Sequence, residues 1–556
     1  MSPAIPKPTA ARWKFFSANN FMSMPSPKNL SPKLEWFAAA VVTLAVVWLH
    51  FHFWRNAGGL WRDEVNLVNL ANSPSLAAMM QDSFPVLMPL LVKFWSKLGA
   101  TDLWLRLLGM ACGLAIPAAF WAVARATRRP PIFSLVIFGL NSLMICYGDS
   151  LRGYGIGTAL IVFALAAMCS FLKNPTWPRA GILALAATLS VQTLYQNSIL
   201  FFAICLGAFA ACWRQKNPSA AVKILCAGLV AAISLLPYCK NIAGLSRAVT
   251  VERPGFSPLA ASLNFQAATG FPFDQFTVCW EILAVFTVLA ALFSLRRASS
   301  SDKTEGASLP LNAGVTLAAV VIVFIGFLRF AAVAPPPWYF LPPLALVAVC
   351  FDFGISPLTL PRLPCVAVFG FVIGIAILSV PAANNALRRP FTNVDKLAAR
   401  VAAGASPQDF VVVTPWYCGI TFNRYFKSTT PWQTLPPLAD HTLHRYDLVL
   451  SQMQDTNSLA PLLDKISATL RGGHRVWVIA DRMKIPAANA FEPPVLPPPP
   501  LKNSGWSDAP YSASWAARTG FFLARHGENF EELQTSNAAV SFQENLHLFM
   551  AQGWRE

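Results

Sequence analysis

Two acidic motifs in this chain fall beside long apolar stretches, where a carboxylate needs a reason to be. The first is Leu60-Trp61-Arg62-Asp63-Glu64-Val65, nine residues past an apolar block ending near residue 54. A carboxylate held there can take the proton that an acceptor hydroxyl loses as it attacks a sugar's anomeric carbon. Asp63 is the candidate base. Glu64 beside it would tune it or hold a metal, because adjacent carboxylates disfavour double ionisation. Taken alone, the pair reads first as a solvated juxtamembrane charge cluster. The second motif is Tyr147-Gly148-Asp149-Ser150-Leu151-Arg152-Gly153-Tyr154, at a tight turn between two apolar blocks. Asp149 and Arg152, three apart, either neutralise each other or divide the work. In the second case Arg152 binds phosphate through its planar fork and Asp149 shapes the acceptor or metal side of a pocket.

Other groups lie at the same level, each with a plainer use. Arg106 and the Lys93/Lys97 pair are candidates for a donor phosphate, or else snorkel and face the headgroups. His50 and His52 suit an interfacial belt or metal ligation, and Trp338 and Tyr339 a belt. Gln192, Gln196 and Asn197 line a polar cavity or bond helix to helix.

The elements that must position these residues are membrane helices. Of 556 residues 55% are hydrophobic and only 12% charged, with a mean hydropathy of +0.47, against about 25% charged in a soluble domain. Apolar blocks long enough to cross a bilayer predict about eleven helices, near 35–54, 103–124, 131–147, 153–172, 180–194, 198–213, 221–238, 276–295, 310–333, 338–353 and 363–382. The net charge of +17 resides in short gaps without an aromatic-interleaved patch, which suits anionic lipid rather than nucleic acid. Arg125, Arg128, Arg129, Lys173, Arg179, Arg214, Lys216, Lys223, Arg296, Arg297 and Lys303 occupy alternate gaps, which places those gaps and the basic N-terminus (1–34) in the cytoplasm. Asp63, Glu64, Asp82, Asp149, Arg152, Glu252 and Asp274 then converge on the outer face. The first apolar run is too long for a signal peptide and lacks a cleavage site, so it is read as retained. Ten of the eleven cysteines lie in or beside apolar blocks and only Cys418 in the polar C-terminal third, so no disulfide framework is implied.

Past the first helix, the loop 55–102 is long for a connector, and its segments Glu64 to Ala71 and Phe84 to Leu98 have the spacing of interfacial amphipathic helices. From residue 384 to 556 the composition becomes ordinary and predicts a small outer α/β domain. Helices are expected at 395–405, 459–470 and 529–551, strands at 410–414, 446–451 and 476–480, and a stiff Pro-rich loop at 493–500.

With the outer Asp-Glu loop and the Asp-x-x-Arg-x-Tyr turn (Asp149, Arg152, Tyr154) in place, the chain resembles the GT-C superfamily of membrane glycosyltransferases. The resemblance is to the bacterial branch related to protein O-mannosyltransferases and aminoarabinose transferases, and it extends over the whole architecture. It implies a multi-pass inner-membrane protein with a transmembrane unit (35–383) and a periplasmic C-terminal domain (384–556). It also implies a polyprenyl-phosphate-linked sugar as donor, a glycan, lipid or protein hydroxyl as acceptor, and inversion at the anomeric carbon with Asp63 as base. No cofactor is required, and a divalent ion is compatible with the pattern. Two departures stand out: Phe84-Pro85-Val86 where the family has a His-Pro-Pro-like stretch, and Trp338-Tyr339 where it has Arg-Tyr. A transporter or flippase of lipid-linked precursors, and a scaffold whose outer domain recruits envelope proteins, remain open on the sequence.

Overall fold

The computed structural model describes residues 32–80, 84–246, 255–297, 308–332, 335–354, 362–481, 495–500, 506–533, 540 and 543–556. Asp82, Glu252 and Lys303 lie outside them. The chain is a helical membrane protein carrying a small α/β domain. Its principal helices are α1 (Pro32–Asn56), α2 (Arg62–Ala71), α3 (Leu87–Ser96), α4 (Asp102–Thr127), α5 (Gly153–Lys173), α6 (Trp177–Val191), α7 (Gln196–Arg214), α8 (Pro218–Ile233), α9 (Thr277–Arg297), α10 (Ser308–Ala331), α11 (Leu341–Gly354) and α12 (Arg362–Ala386). Among the described residues eight helices are long and apolar enough to cross a membrane: α1, α4, α5, α7, α8 with its continuation to Ala243, α9, α10 and α11 with its preceding turn.

Two expected crossings take other forms. α6 is a shorter apolar helix of 15 residues. The stretch 131–147 is broken into a π-turn at Ser134–Gly139 and a short helix at Ser142–Gly148. The cause of the break is a buried carboxylate. Asp352 of α11 accepts from the Phe133 and Ser134 amides (2.7 and 3.3 Å) and from Ser134 Oγ (2.6 Å). Asn141 caps the next helix through the Leu143 amide at 2.9 Å. Irregular backbone at membrane depth is tolerated when protein groups satisfy it in this way.

The loop 55–102 does fold into helices, α2 and α3 with a short turn of helix at Leu76–Met79 between them. However, α2 is not laid on lipid as its spacing suggested. Val65, Leu67, Val68 and Ala71 are packed with Met88 and Val92 of α3, Leu105 of α4 and Ile420 of the C-terminal domain. The helix is therefore sandwiched between the membrane unit and that domain.

The C-terminal domain has three layers. Its five-stranded sheet runs β2-β1-β3-β5-β4, from β1 (Phe410–Val413), β2 (Trp432–Thr434), β3 (Val476–Ala480), β4 (Gly527–Leu533) and β5 (His547–Trp554). β1 is parallel to β2 and β3, and β5 is antiparallel to β3 and β4, with Val411 opposite Trp477 and Val478 opposite Phe549. Helices α13 (Val394–Gly404) and α14 (Cys418–Tyr425) cover one face, while α15 (Tyr446–Gln454), α16 (Ala460–Arg471) and α17 (Ala509–His526) cover the other. The expected strand at 446–451 is thus helical, because only Val449 and Met453, four apart, turn inward. The expected final helix is instead the β4–β5 hairpin. Leu548, Phe549 and Ala551 are buried in β5, whereas β4 is an edge strand kept soluble by exposed Glu528, Glu531 and Glu532.

Candidate active site

The site is built on the N-terminus of α2. Trp61 ends an extended approach, and Glu64 in the first helical turn accepts from its amide at 3.3 Å. The Glu64 side chain is fully buried and held by Arg106 of α4 at 3.0 and 3.2 Å, and by the Leu151 amide at 2.9 Å. Arg106, itself 3% exposed, also donates to the carbonyls of Gly58 and Gly59. Burial pushes the Glu64 carboxyl up, and Arg106 with the Leu151 and Trp61 amides pulls against it. Glu64 and Arg106 are thus each other's partners in this structure. Together they fasten the loop to α4 and to the turn before α5.

Asp63 points the other way. Its carboxylate meets His444 Nε2 of the C-terminal domain at 3.2 Å and Arg62 Nε at 3.6 Å. Arg152 donates to its main-chain oxygen at 3.2 Å. Burial disfavours the Asp63 charge, but Arg152, the His444 hydrogen bond and Arg62 outweigh it and hold the carboxyl well below its usual range. A carboxylate in the first turn of a helix gains further from the helix dipole. With 18% of its side chain exposed, Asp63 is an anion within reach of solvent and of a ligand.

The C-terminal domain completes this surface. Arg62 lies 4.0 Å over the Tyr417 ring, and its amide donates to Glu544 at 2.9 Å. Glu544 is buried, also accepts from Thr421 Oγ1 at 3.0 Å, and is pushed up to about 7 by burial against the pull of Arg62. His444 is oriented by its own amide, which donates to Asn66 of α2 at 2.9 Å, and by Trp416 and Tyr446 against its ring. Its Nδ1 has no partner among the described residues. Asp102, at the start of α4, receives Arg424 at 2.6 Å and the Tyr425 hydroxyl at 2.5 Å, while that hydroxyl accepts from the Leu60 amide.

The second motif is divided between two roles. Asp149 is not paired with Arg152. It bonds His50 of α1 at 2.5 Å, buried against α4 where a side chain on Gly113 would strike it, and this also removes His50 from the interfacial belt. Arg152, buried, lies over Phe84 at 4.6 Å, and Phe84 meets Tyr154 edge to face at 5.9 Å. Tyr154, Tyr339 and Trp338 are thus part of the packing under the site, with Trp338 4.7 Å from Tyr147 and 6.2 Å from Trp61, rather than a lipid-facing belt. Lys93 is spent on the Ser73 carbonyl at 3.1 Å. Asn197 bonds helix to helix through the Gly157 carbonyl, and Gln192 binds Tyr238, whose hydroxyl takes the Val86 amide.

No family model matches the chain, and no curated protein matches it. Solved structures do. ArnT from Cupriavidus metallidurans in the apo state is 11% identical, over 79% of this chain and 92% of that one, with a TM-score of 0.48. The same protein bound to undecaprenyl phosphate is 13% identical over the same shares, with a TM-score of 0.46. The Archaeoglobus fulgidus oligosaccharyltransferase in complex with Zn and sulfate is 12% identical, over 80% of this chain and 68% of that one, with a TM-score of 0.45.

The donor set for a metal is thin. Asp63 and His444 converge, but Glu64 is taken by Arg106, and among the described residues no three His, Cys, Asp or Glu side chains are grouped to hold an ion. His444 and Glu544 were not anticipated. The one local signal for His444 was the run Asp440-His441-Thr442-Leu443-His444-Arg445, which holds two of the chain's seven histidines.

Proposed function

We propose that the chain is an inverting glycosyltransferase, moving a sugar from a polyprenyl-phosphate donor to an acceptor hydroxyl on the outer face of a bacterial inner membrane. The observation that carries this reading is the Asp63 carboxylate: anionic, partly exposed, and flanked by Arg62 and Arg152 where α2 meets the C-terminal domain. The sequence resemblance supports the donor class.

Asp63 accepts a hydrogen bond from the acceptor hydroxyl and aims its oxygen at the anomeric carbon. A carboxylate of such low basicity does not deprotonate a free alcohol. It takes the proton late, when the new C–O bond has made the acceptor oxygen strongly acidic. As that bond forms, the bond from the anomeric carbon to phosphate breaks on the opposite side, and polyprenyl phosphate leaves with the electron pair. Arg152 is assigned to the departing phosphate, whose charge its planar fork suits. Glu64–Arg106 and Asp149–His50 hold the two motifs in place, and His444 holds Asp63.

The test is transfer from radiolabelled polyprenyl-phosphate hexose, pentose and aminopentose to envelope extract, by the full chain in proteoliposomes. Asp63→Asn should lower transfer on the order of 10²–10⁴-fold with the protein still folded. Undiminished transfer by that variant would remove Asp63 as the base. Movement of labelled donor between leaflets without transfer by the wild type would favour a flippase.

A further inference from the structure

The end of the membrane unit far from Asp63 carries a second built feature. α4 runs 26 residues from Asp102 to Thr127, about 39 Å at the helical rise, so its last turn lies a membrane thickness from the site. There α4, α5 and α6 enclose a cleft of about 620 Å³. Arg125, Arg128, Lys173 and Arg179 line it, and none of its lining residues is acidic. Among the described residues none of the four makes an ion pair. Arg179 is steadied by donating to the Ser170 carbonyl at 2.8 Å, and Arg128 turns the chain at the end of α4 with a φ of 59°.

Helix C-termini attract a cation each, and cytoplasmic loops are generally basic. Those tendencies spread charge over loops and do not account for four cations around one concavity without a carboxylate. The remaining wall is apolar apart from Ser170, and on α6 it looks outward, with Ile182 61% and Leu185 60% exposed. Clustered cations beside an outward apolar wall match a single kind of molecule. It must be anionic at one end and hydrocarbon at the other, and it must lie at the level where the helices leave the membrane.

We propose that this cleft binds an anionic phospholipid, its phosphate among Arg125, Arg128, Lys173 and Arg179 and its acyl chains along Ile182 and Leu185. The site is independent of the transferase reading. It would bind a lipid of the leaflet opposite the donor and brace the ends of α4, α5 and α6.

The experiment uses the full chain, delipidated in a neutral detergent. Phosphatidylglycerol or phosphatidylcholine is titrated in, and bound lipid is counted by native mass spectrometry alongside the melting temperature. Phosphatidylglycerol should be retained and raise the melting temperature, and phosphatidylcholine should do neither. With about 1 kcal/mol for each cation near a lipid surface, Arg125→Gln with Arg179→Gln should weaken retention about thirtyfold. Should that variant fail to fold, the wild type itself decides, since raising salt from 0.05 to 0.5 M must release the lipid. Equal retention of phosphatidylcholine, undiminished retention by the folded variant, or salt-insensitive retention overturns the proposal. So does an equal thermal shift from inorganic phosphate alone, which would make this a free-anion site.

Discussion

Asp63 and Glu64 are neighbours in sequence with opposite surroundings, and the difference assigns them different work. Glu64 is sealed against Arg106, so Glu64→Ala leaves a guanidinium buried without its counter-charge. Such losses cost about 3–5 kcal/mol, and the expected outcome is a protein that melts early or fails to assemble, measured by thermal unfolding in detergent. His444 is the converse. It is partly buried and touches Asp63 through one hydrogen bond, so His444→Ala should lower the melting temperature less than Glu64→Ala while disturbing the base. A hydrogen bond to a charged group is worth about 1.5–3 kcal/mol, which predicts a ten- to hundredfold loss of transfer, about tenfold for each 1.4 kcal/mol. The two variants thus separate: unfolding without a chemical lesion, and a chemical lesion without unfolding. If His444→Ala lost stability and Glu64→Ala only activity, the assignment of both residues would be reversed.

At the scale of elements, α2 is gripped at its N-terminus by a carboxylate from the other end of the chain, and that grip depends on pH. The folded Glu544 titrates at about 7, above its ordinary 4.5. Its protonated form is therefore favoured by folding, and the contribution is complete below about 4.5 and lost as pH rises through about 7. The full swing is up to about 3 kcal/mol at 1.36 kcal/mol per unit. The melting temperature of the wild type should fall between pH 5 and 7.5 relative to Glu544→Gln, which keeps an acceptor for the Arg62 amide and cannot ionise. Parallel curves would place the sensitivity elsewhere. Asp63 works in the opposite sense, its stabilisation present above the ordinary carboxylate range and lost only on strong acidification, so it adds no slope near neutrality. The elements that make these contacts were unevenly legible. Apolar blocks announced most crossings, and the continuous apolar FVVVT and VWVIA runs announced β1 and β3. Tyr446–Gln454 and His547–Trp554 misled because short mixed segments fit either period until a neighbour shows which face is covered. The break at Ser134–Gly139 depends on Asp352, more than two hundred positions away, which no local pattern contains.

For the molecule as a whole, the same limit applied to the site: both motifs were visible, but the partners of each residue were not. Asp63 meets a histidine 381 positions downstream, and Asp149 meets one 99 positions upstream. Such pairings are set by tertiary packing, and the i,i+3 pairing of Asp149 with Arg152 that the sequence offered lost to it. The long-range contacts do, however, constrain topology more tightly than loop charge does. Arg424–Asp102 and His444–Asp63 join the C-terminal domain to the outer loop within hydrogen-bond reach. Reporter enzymes active only outside the cytoplasm should therefore be active when fused after Gln81 and after Asn393, and silent after Ser301. Two groups in contact cannot face different compartments. Disagreement between the Gln81 and Asn393 fusions would contradict the docking itself, whereas silence at both with activity at Ser301 would preserve the docking and invert the protein. In that inverted case Asp63 would face the cytoplasm and the basic cleft between α4, α5 and α6 the outer leaflet. Both functional proposals would then need a donor and a lipid on the opposite sides from those argued here.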